Sequence, residues 1–174
     1  MCCNARLNSV LMHLMPVNLR EYLREELGLK ARLHFLSFGR FYLALFAGVL
    51  VLLAIHAWVL PPHHWKVWLG WDVWLAVLLW QPIIEELLFR GVIQGELRRK
   101  PWGRRAWLGI SAANLVTSLL FVAMHFINHP PFWALAVLFP SLVFGYFRDR
   151  CDSVVPAIVL HIFYNFGYFV AVAF

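Results

Sequence analysis

An all-α, polytopic transmembrane helix bundle is predicted by three features of this 174-residue chain. Hydrophobic residues make up 62% and charged residues only 14%, against about 45–50% and about 25% in a soluble domain. Mean hydropathy is +0.70, and the apolar residues fall in runs of membrane-spanning length. The 9 Trp and 15 Phe suit a chain whose aromatic side chains gather at bilayer interfaces. Because such a chain buries its apolar surface in lipid, one membrane domain is the natural reading.

Residues 1–40 read as a cytoplasmic or interfacial N-terminal arm. Asn18 is placed to cap a helix in which Leu19, Tyr22, Leu23 and Leu27 share one face. With Arg20, Arg24 and Lys30 nearby, this amphipathic piece is expected to lie along the membrane surface. Residues 41–174 then form the transmembrane domain, as about five spans. A span needs ~20 residues at 1.5 Å per residue. The first is 41–60, ended by Pro61-Pro62; the second is 67–97, interrupted by Pro82. The third is 106–127, the fourth is a short 132–147 containing Pro140, and the fifth is 154–174. The second exceeds one crossing, so it is expected to tilt, bend at Pro82 or project from the membrane.

The net charge of +6 belongs to the loops. Arg6, Arg20, Arg24, Lys30, Arg32 and Arg40 sit in the arm. Arg98, Arg99, Lys100, Arg104 and Arg105 follow the second span, and Arg148 and Arg150 precede the fifth. The alternate loops, 61–66 and 128–131, supply only Lys66. That bias predicts the N-terminus inside and the C-terminus outside. No basic–aromatic module supports nucleic-acid binding. Cys2, Cys3 and Cys151 form no CxxC pair, and the polar first ~35 residues lack the pattern of a cleavable signal peptide.

The second span contains Gln81-Pro82-Ile83-Ile84-Glu85-Glu86-Leu87-Leu88-Phe89-Arg90-Gly91. An ionisable side chain such as Asp or Arg at the bilayer centre costs about 2.5–3.5 kcal/mol and marks a functional site by default. A Leu returns only about 0.3–0.6 kcal/mol. Glu86 and Arg90, four apart, can pair on one helix face. Glu85 points about 100° away and is left to act on something else. A carboxylate in a low-dielectric cavity flanked by an Arg has the elements of a general base. The competing reading is a structural ion pair, and Glu25-Glu26-Leu27-Gly28-Leu29-Lys30 shows a similar pattern in the polar arm.

Two companions raise the first reading. Phe121 and His125 are four apart in the third span, and His161 and Asn165 are four apart in the fifth. Three helices could thus direct polar residues into one cavity. His56, alone near the end of the first span, is better read as a helix–helix hydrogen bonder.

The motifs Glu85-Glu86-Leu87-Leu88-Phe89-Arg90, Phe121-Val122-Ala123-Met124-His125 and His161-Ile162-Phe163-Tyr164-Asn165 occur in this order, each in its own apolar segment. Together they resemble the CAAX prenyl endopeptidase and bacteriocin-processing (CPBP, or Abi) family over roughly residues 70–170. The resemblance implies an intramembrane endopeptidase of the glutamate type. Glu85 would activate water with His125 as its partner, and His161 and Asn165 would stabilise the oxyanion. Glu86 and Arg90 would shape the site and orient Glu85. The substrate implied is a membrane-associated protein or peptide: a prenylated CAAX tail, a peptide leader or a C-terminal sorting tail. A bacterial inner membrane and a homodimer are further expectations.

Other chemistries fit less well. There is no HExxH, and although His125 and His129 have ligand spacing, His129 falls beside Pro130, so neither a metal nor a cofactor is expected. The chain has no GxSxG, Asp72 is the only Asp in a span, and Cys151 sits in a charged loop. Outside enzymology, the same buried Glu and His suit a proton-linked carrier, an immunity protein or a scaffold.

Overall fold

The computed structural model describes residues 28–29, 33–58 and 70–173. The amphipathic helix expected from Asn18, and the connection at 61–66, lie outside them. A short 3-10 turn, Leu33–Ser37, leads into α1, Gly39–Trp58. Tyr42, Leu43, Phe46, Leu50, Val51 and Leu53 are exposed on α1, an apolar surface far too extensive for water contact.

Helix α2 runs over 71–99 and changes width twice. Its α-helical parts are Trp71–Leu75, Gln81–Glu86 and Gln94–Arg99. Between them lie two wider π-helical stretches, Ala76–Trp80 and Leu87–Ile93. Pro82 accounts for the first. Its ring would strike the carbonyl four residues back and it has no N–H to give, so the preceding turn widens.

The third apolar segment departs from expectation at its start. Residues 106–111 are not helical: Ala106–Trp107 (β1) and Ile110–Ser111 (β2) form an antiparallel hairpin. Its two central residues, Leu108 and Gly109, have φ of 49° and 83°, the left-handed pair that a tight two-residue turn needs. Helix α3, Ala112–His125, begins only afterwards, with the Ser111 hydroxyl accepting from the Asn114 N–H.

The fourth segment is longer than its apolar run suggested. Helix α4, Pro131–Ala136, continues into α5, Leu138–Cys151. Pro140 lies in the first turn of α5, where a missing N–H costs little. Helix α6, Val155–Ala173, completes the bundle. By length and composition, two helices among the described residues suffice to cross a membrane, Gly39–Ala57 and Pro131–Cys151.

Helix α6 packs against α1 and α5, and α3 against α5. Phe35, Phe41, Phe144, Phe147, Ala157 and Leu160 form the buried cluster at these seams. Polar atoms tie α6 to α1: Tyr164 Oη donates to the Ala44 carbonyl at 2.9 Å, and His56 Nδ1 meets the Ala171 carbonyl at 2.8 Å. Between α3 and α5, Asn114 Nδ2 donates to the Leu142 carbonyl at 2.9 Å. Gly145 makes room for that amide, since a Cβ there would fall inside the Asn114 carboxamide. Small residues serve close helix approach inside membranes in this way. Gly145→Ala is therefore expected to destabilise the chain by about 1–3 kcal/mol, read as a lower melting temperature in detergent.

Candidate active site

The candidate residues come from α2, α3 and α6. Glu86 and Arg90 are fully buried, and Arg90 Nε lies 3.2 Å from Glu86 Oε2. The other Glu86 oxygen, Oε1, meets His161 Nδ1 at 2.9 Å. Because an ionised carboxylate only accepts, Nδ1 carries the proton, and in the neutral ring Nε2 is left as an acceptor. That Nε2 lies 3.7 Å from Glu85 Oε2. Glu85 Oε1 takes a 2.9 Å hydrogen bond from Gln81 Nε2. The Glu85 side chain keeps 17% of its surface exposed, against none for Glu86.

Arg90 is satisfied on every side. Its guanidinium donates to Ser141 Oγ at 2.5 Å and to Gln94 Oε1 at 3.5 Å, and its Cζ lies 5.7 Å from the centre of the Phe121 ring. The neighbouring α5 continues these contacts. Gln94 Nε2 reaches the Gly145 carbonyl and Asp149 Oδ1, both at 2.9 Å, and Arg98 Nε lies 3.1 Å from Asp149. Buried charges in a membrane need such partners.

Phe121 occupies the centre of the aromatic wall. Its ring is 4.9 Å from Phe89, 4.4 Å from His125 and 6.1 Å from His161, while Phe144 stacks on His161 at 5.0 Å. His125 is thus held one ring away from the glutamates. Its Nδ1 donates to the Phe121 carbonyl at 2.9 Å, and its ring stacks on His129 at 5.5 Å. The structure brings Glu85, Glu86, Arg90 and His161 into contact. His125 stands beside them and makes no described contact with either glutamate.

Asn165 meets α2 at the widened turn. The Gln81 N–H, which would serve the Val77 carbonyl in an α-helix, goes instead to Ala76. The next candidate donor, Pro82, has no N–H. The Val77 carbonyl is therefore without a helical partner, and Asn165 Nδ2 supplies one at 3.3 Å. The second widened turn repeats the device. There the Gln94 N–H goes to Phe89, and Arg148 Nε donates to the bypassed Arg90 carbonyl at 3.0 Å. Asn165→Leu is expected to cost about 1–3 kcal/mol, the usual result of stranding a buried acceptor, measurable by thermal melting in detergent.

Sequence reasoning missed Gln81, Gln94, Ser141, Phe144, Arg148 and Asp149. For Gln81 and Gln94 a signal existed: each stands four residues from a motif residue, Gln81 from Glu85 and Gln94 from Arg90. Nothing comparable marked the residues of α5. The described residues contain no group of three or more His, Cys, Asp or Glu arranged to hold a metal ion.

Comparison with known proteins agrees with the motifs. The profile of the family described as Rce1-like, type II CAAX prenyl endopeptidase, matches residues 66–167. No curated protein and no solved structure matches the chain. The matched stretch takes in α2 through most of α6, with all three motifs, and it covers more than half of the sequence. The chain is an integral membrane protein that belongs to the Rce1-like family of type II CAAX prenyl endopeptidases.

Proposed function

We propose that the chain hydrolyses a peptide bond of a membrane-associated protein or peptide with a water activated by Glu85. The observation that carries this reading is the unequal state of the two adjacent carboxylates. Both oxygens of Glu86 are committed, to His161 and Arg90, and the side chain is closed off. Glu85 is accessible, and its Oε2 lies within 3.7 Å of an imidazole nitrogen. A water can sit within hydrogen-bond reach of both. Glu86 acts as a positioning residue: it fixes the His161 tautomer, and Arg90 fixes Glu86.

In this scheme Glu85 takes a proton from the water as its oxygen bonds to the peptide carbonyl carbon. The C–N bond then breaks, and the proton passes to the departing amine. The oxyanion is met by the Asn165 carboxamide, whose contact with Val77 uses only one of its N–H groups, on the side of the site where His161 lies. His125, with Nδ1 tied to Phe121, supplies a second basic nitrogen for the water on the α3 side. The substrates that fit are a C-terminal tail, CAAX-like or a sorting signal, and a peptide leader. Five crossings, with the N-terminus inside a bacterial inner membrane and the C-terminus outside, suit the distribution of Lys and Arg, and a homodimer would help enclose the polar cavity.

The test is to map protein termini by mass spectrometry in membranes carrying either the native chain or Glu85→Gln at equal level. A defined set of processed termini is expected in the first and absent in the second. Identical termini from both, with the variant folded and inserted, would count against proteolysis and direct attention to ion flux through the same cluster.

A further inference from the structure

One end of the bundle holds a feature that the proteolytic site does not use. The starts of α1 and α3 and the ends of α2 and α5 meet there around an open hollow of about 370 Å³. Arg40, Arg98, Arg104 and Arg150 line it, with Tyr146, Ser111 and Asp149. The single acid is already engaged: Asp149 receives Gln94, the Ser111 hydroxyl at 2.6 Å and Arg98. Arg40 donates to Tyr146 Oη at 2.5 Å, and Arg104 Nε to the Arg98 carbonyl at 2.8 Å. Neither contact brings a negative charge. Among the described residues no carboxylate forms an ion pair with Arg40, Arg104 or Arg150.

Basic residues at a span end serve as topology signals wherever they point. Topology alone does not require three arginines, from α1, the loop before β1 and α5, to border one hollow. The hairpin supplies an independent observation. Ala106 and Gly109 belong to the lining, while Trp107 and Leu108 between them are 79% and 81% exposed. A basic hollow thus adjoins a bare apolar tip at the helix ends, the level at which the Lys and Arg bias sets the membrane interface. Aromatic side chains settle at that level, and clustered arginines there attract anionic head groups.

We propose that this hollow binds the phosphate of an anionic membrane lipid, with the acyl chains lying along Trp107 and Leu108. Guanidinium groups hold phosphate oxygens in a planar, two-pronged geometry. The volume also leaves space for the glycerol behind the phosphate. Among phosphate sources, the apolar tip favours the lipid over a soluble ion.

The test is native mass spectrometry of the full chain in detergent, titrated with short-chain phosphatidylglycerol, phosphatidylcholine or inorganic phosphate. Phosphatidylglycerol is expected to bind about tenfold or more tightly than phosphatidylcholine. Arg104→Gln with Arg150→Gln should abolish that preference, whereas Lys100→Gln with Arg105→Gln, equal in charge but outside the lining, should keep it. Equal losses in the two variants would reduce the site to diffuse attraction and overturn the proposal. Full displacement of the lipid by an equal concentration of inorganic phosphate would also overturn it, assigning the hollow to a soluble ion. On the unmodified chain, a phosphatidylglycerol with a photoreactive acyl chain should label residues 102–109, and labelling spread over α1 instead would argue against the site. Binding is the readout throughout, so the result is independent of any cleavage assay.

Discussion

Glu85→Gln is expected to slow peptide cleavage by about 10²- to 10⁴-fold, the range for loss of a positioned general base, while thermal stability stays close to native. The two halves of this expectation have different origins. The amide is nearly isosteric with the carboxylate and retains an oxygen for the Gln81 Nε2 bond, but it has no basic oxygen for the water proton. Stability is spared because Glu85 is partly exposed and its nearest ionisable neighbour, His161 Nε2 at 3.7 Å, lies beyond hydrogen-bond distance. Glu86→Gln should behave differently. It removes the charge that faces both Arg90 and His161, so it should lose stability and activity together. Rates on a defined membrane peptide, measured beside melting curves in the same detergent, separate the two. Near-native cleavage by Glu85→Gln, with loss confined to Glu86→Gln, would move the base to Glu86 and refute the proposed division of labour.

The second large effect concerns Arg90. Removing one partner of a buried ion pair typically costs about 3–5 kcal/mol, because the other charge is left without compensation. Arg90→Met strands Glu86 inside the bundle and also removes the donor to Ser141. A loss of that size is a large share of the about 5–15 kcal/mol by which a whole domain is stable. The double variant Arg90→Met with Glu86→Met removes both charges, and it should recover much of the lost stability without recovering cleavage. Equal destabilisation by the single and the double change, in melting curves of the three variants, would mean that Arg90 acts mainly through Ser141, Gln94 and the Phe121 ring.

The parts of the molecule that were legible in the sequence are those governed by local chemistry. The run Phe41–Leu60 reads as a helix because apolarity is continuous there, and α1 lies within two residues of it at each end. Glu86 and Arg90 pair as their four-residue spacing implies. The hairpin was missed because Ala106-Trp107-Leu108-Gly109-Ile110 is as apolar as the helix that follows, and only the backbone of Leu108 and Gly109 distinguishes it. Pro82 announced a perturbation, and the widened turn before it is the form taken. Leu87–Ile93 contains no breaker apart from Gly91, and the Arg148 donor to its bypassed carbonyl comes from 58 residues away. Within the site, the contact of His161 with Glu86 joins residues 75 apart. Motif spacing gave both residues but not their pairing; it put His125 on one face with Phe121, where the structure finds it, but did not show it set apart from the glutamates.

The changes of width along α2 have a geometric consequence for its polar side chains. Glu86, Arg90, Gln94 and Arg98 recur every four positions. At 3.6 residues per turn, each step of four overshoots a full revolution by about 40°, so three steps would swing Arg98 about 120° away from Glu86. A π-helical stretch winds more slowly and turns the phase back. The four side chains therefore stay on one meridian and meet Ser141, Gly145 and Asp149 of α5 in succession. A π turn is in effect one residue inserted into an α-helix. Deleting a single residue at 91, 92 or 93 would restore regular winding while rotating everything beyond it, leaving the motif intact and the row of contacts with α5 out of register.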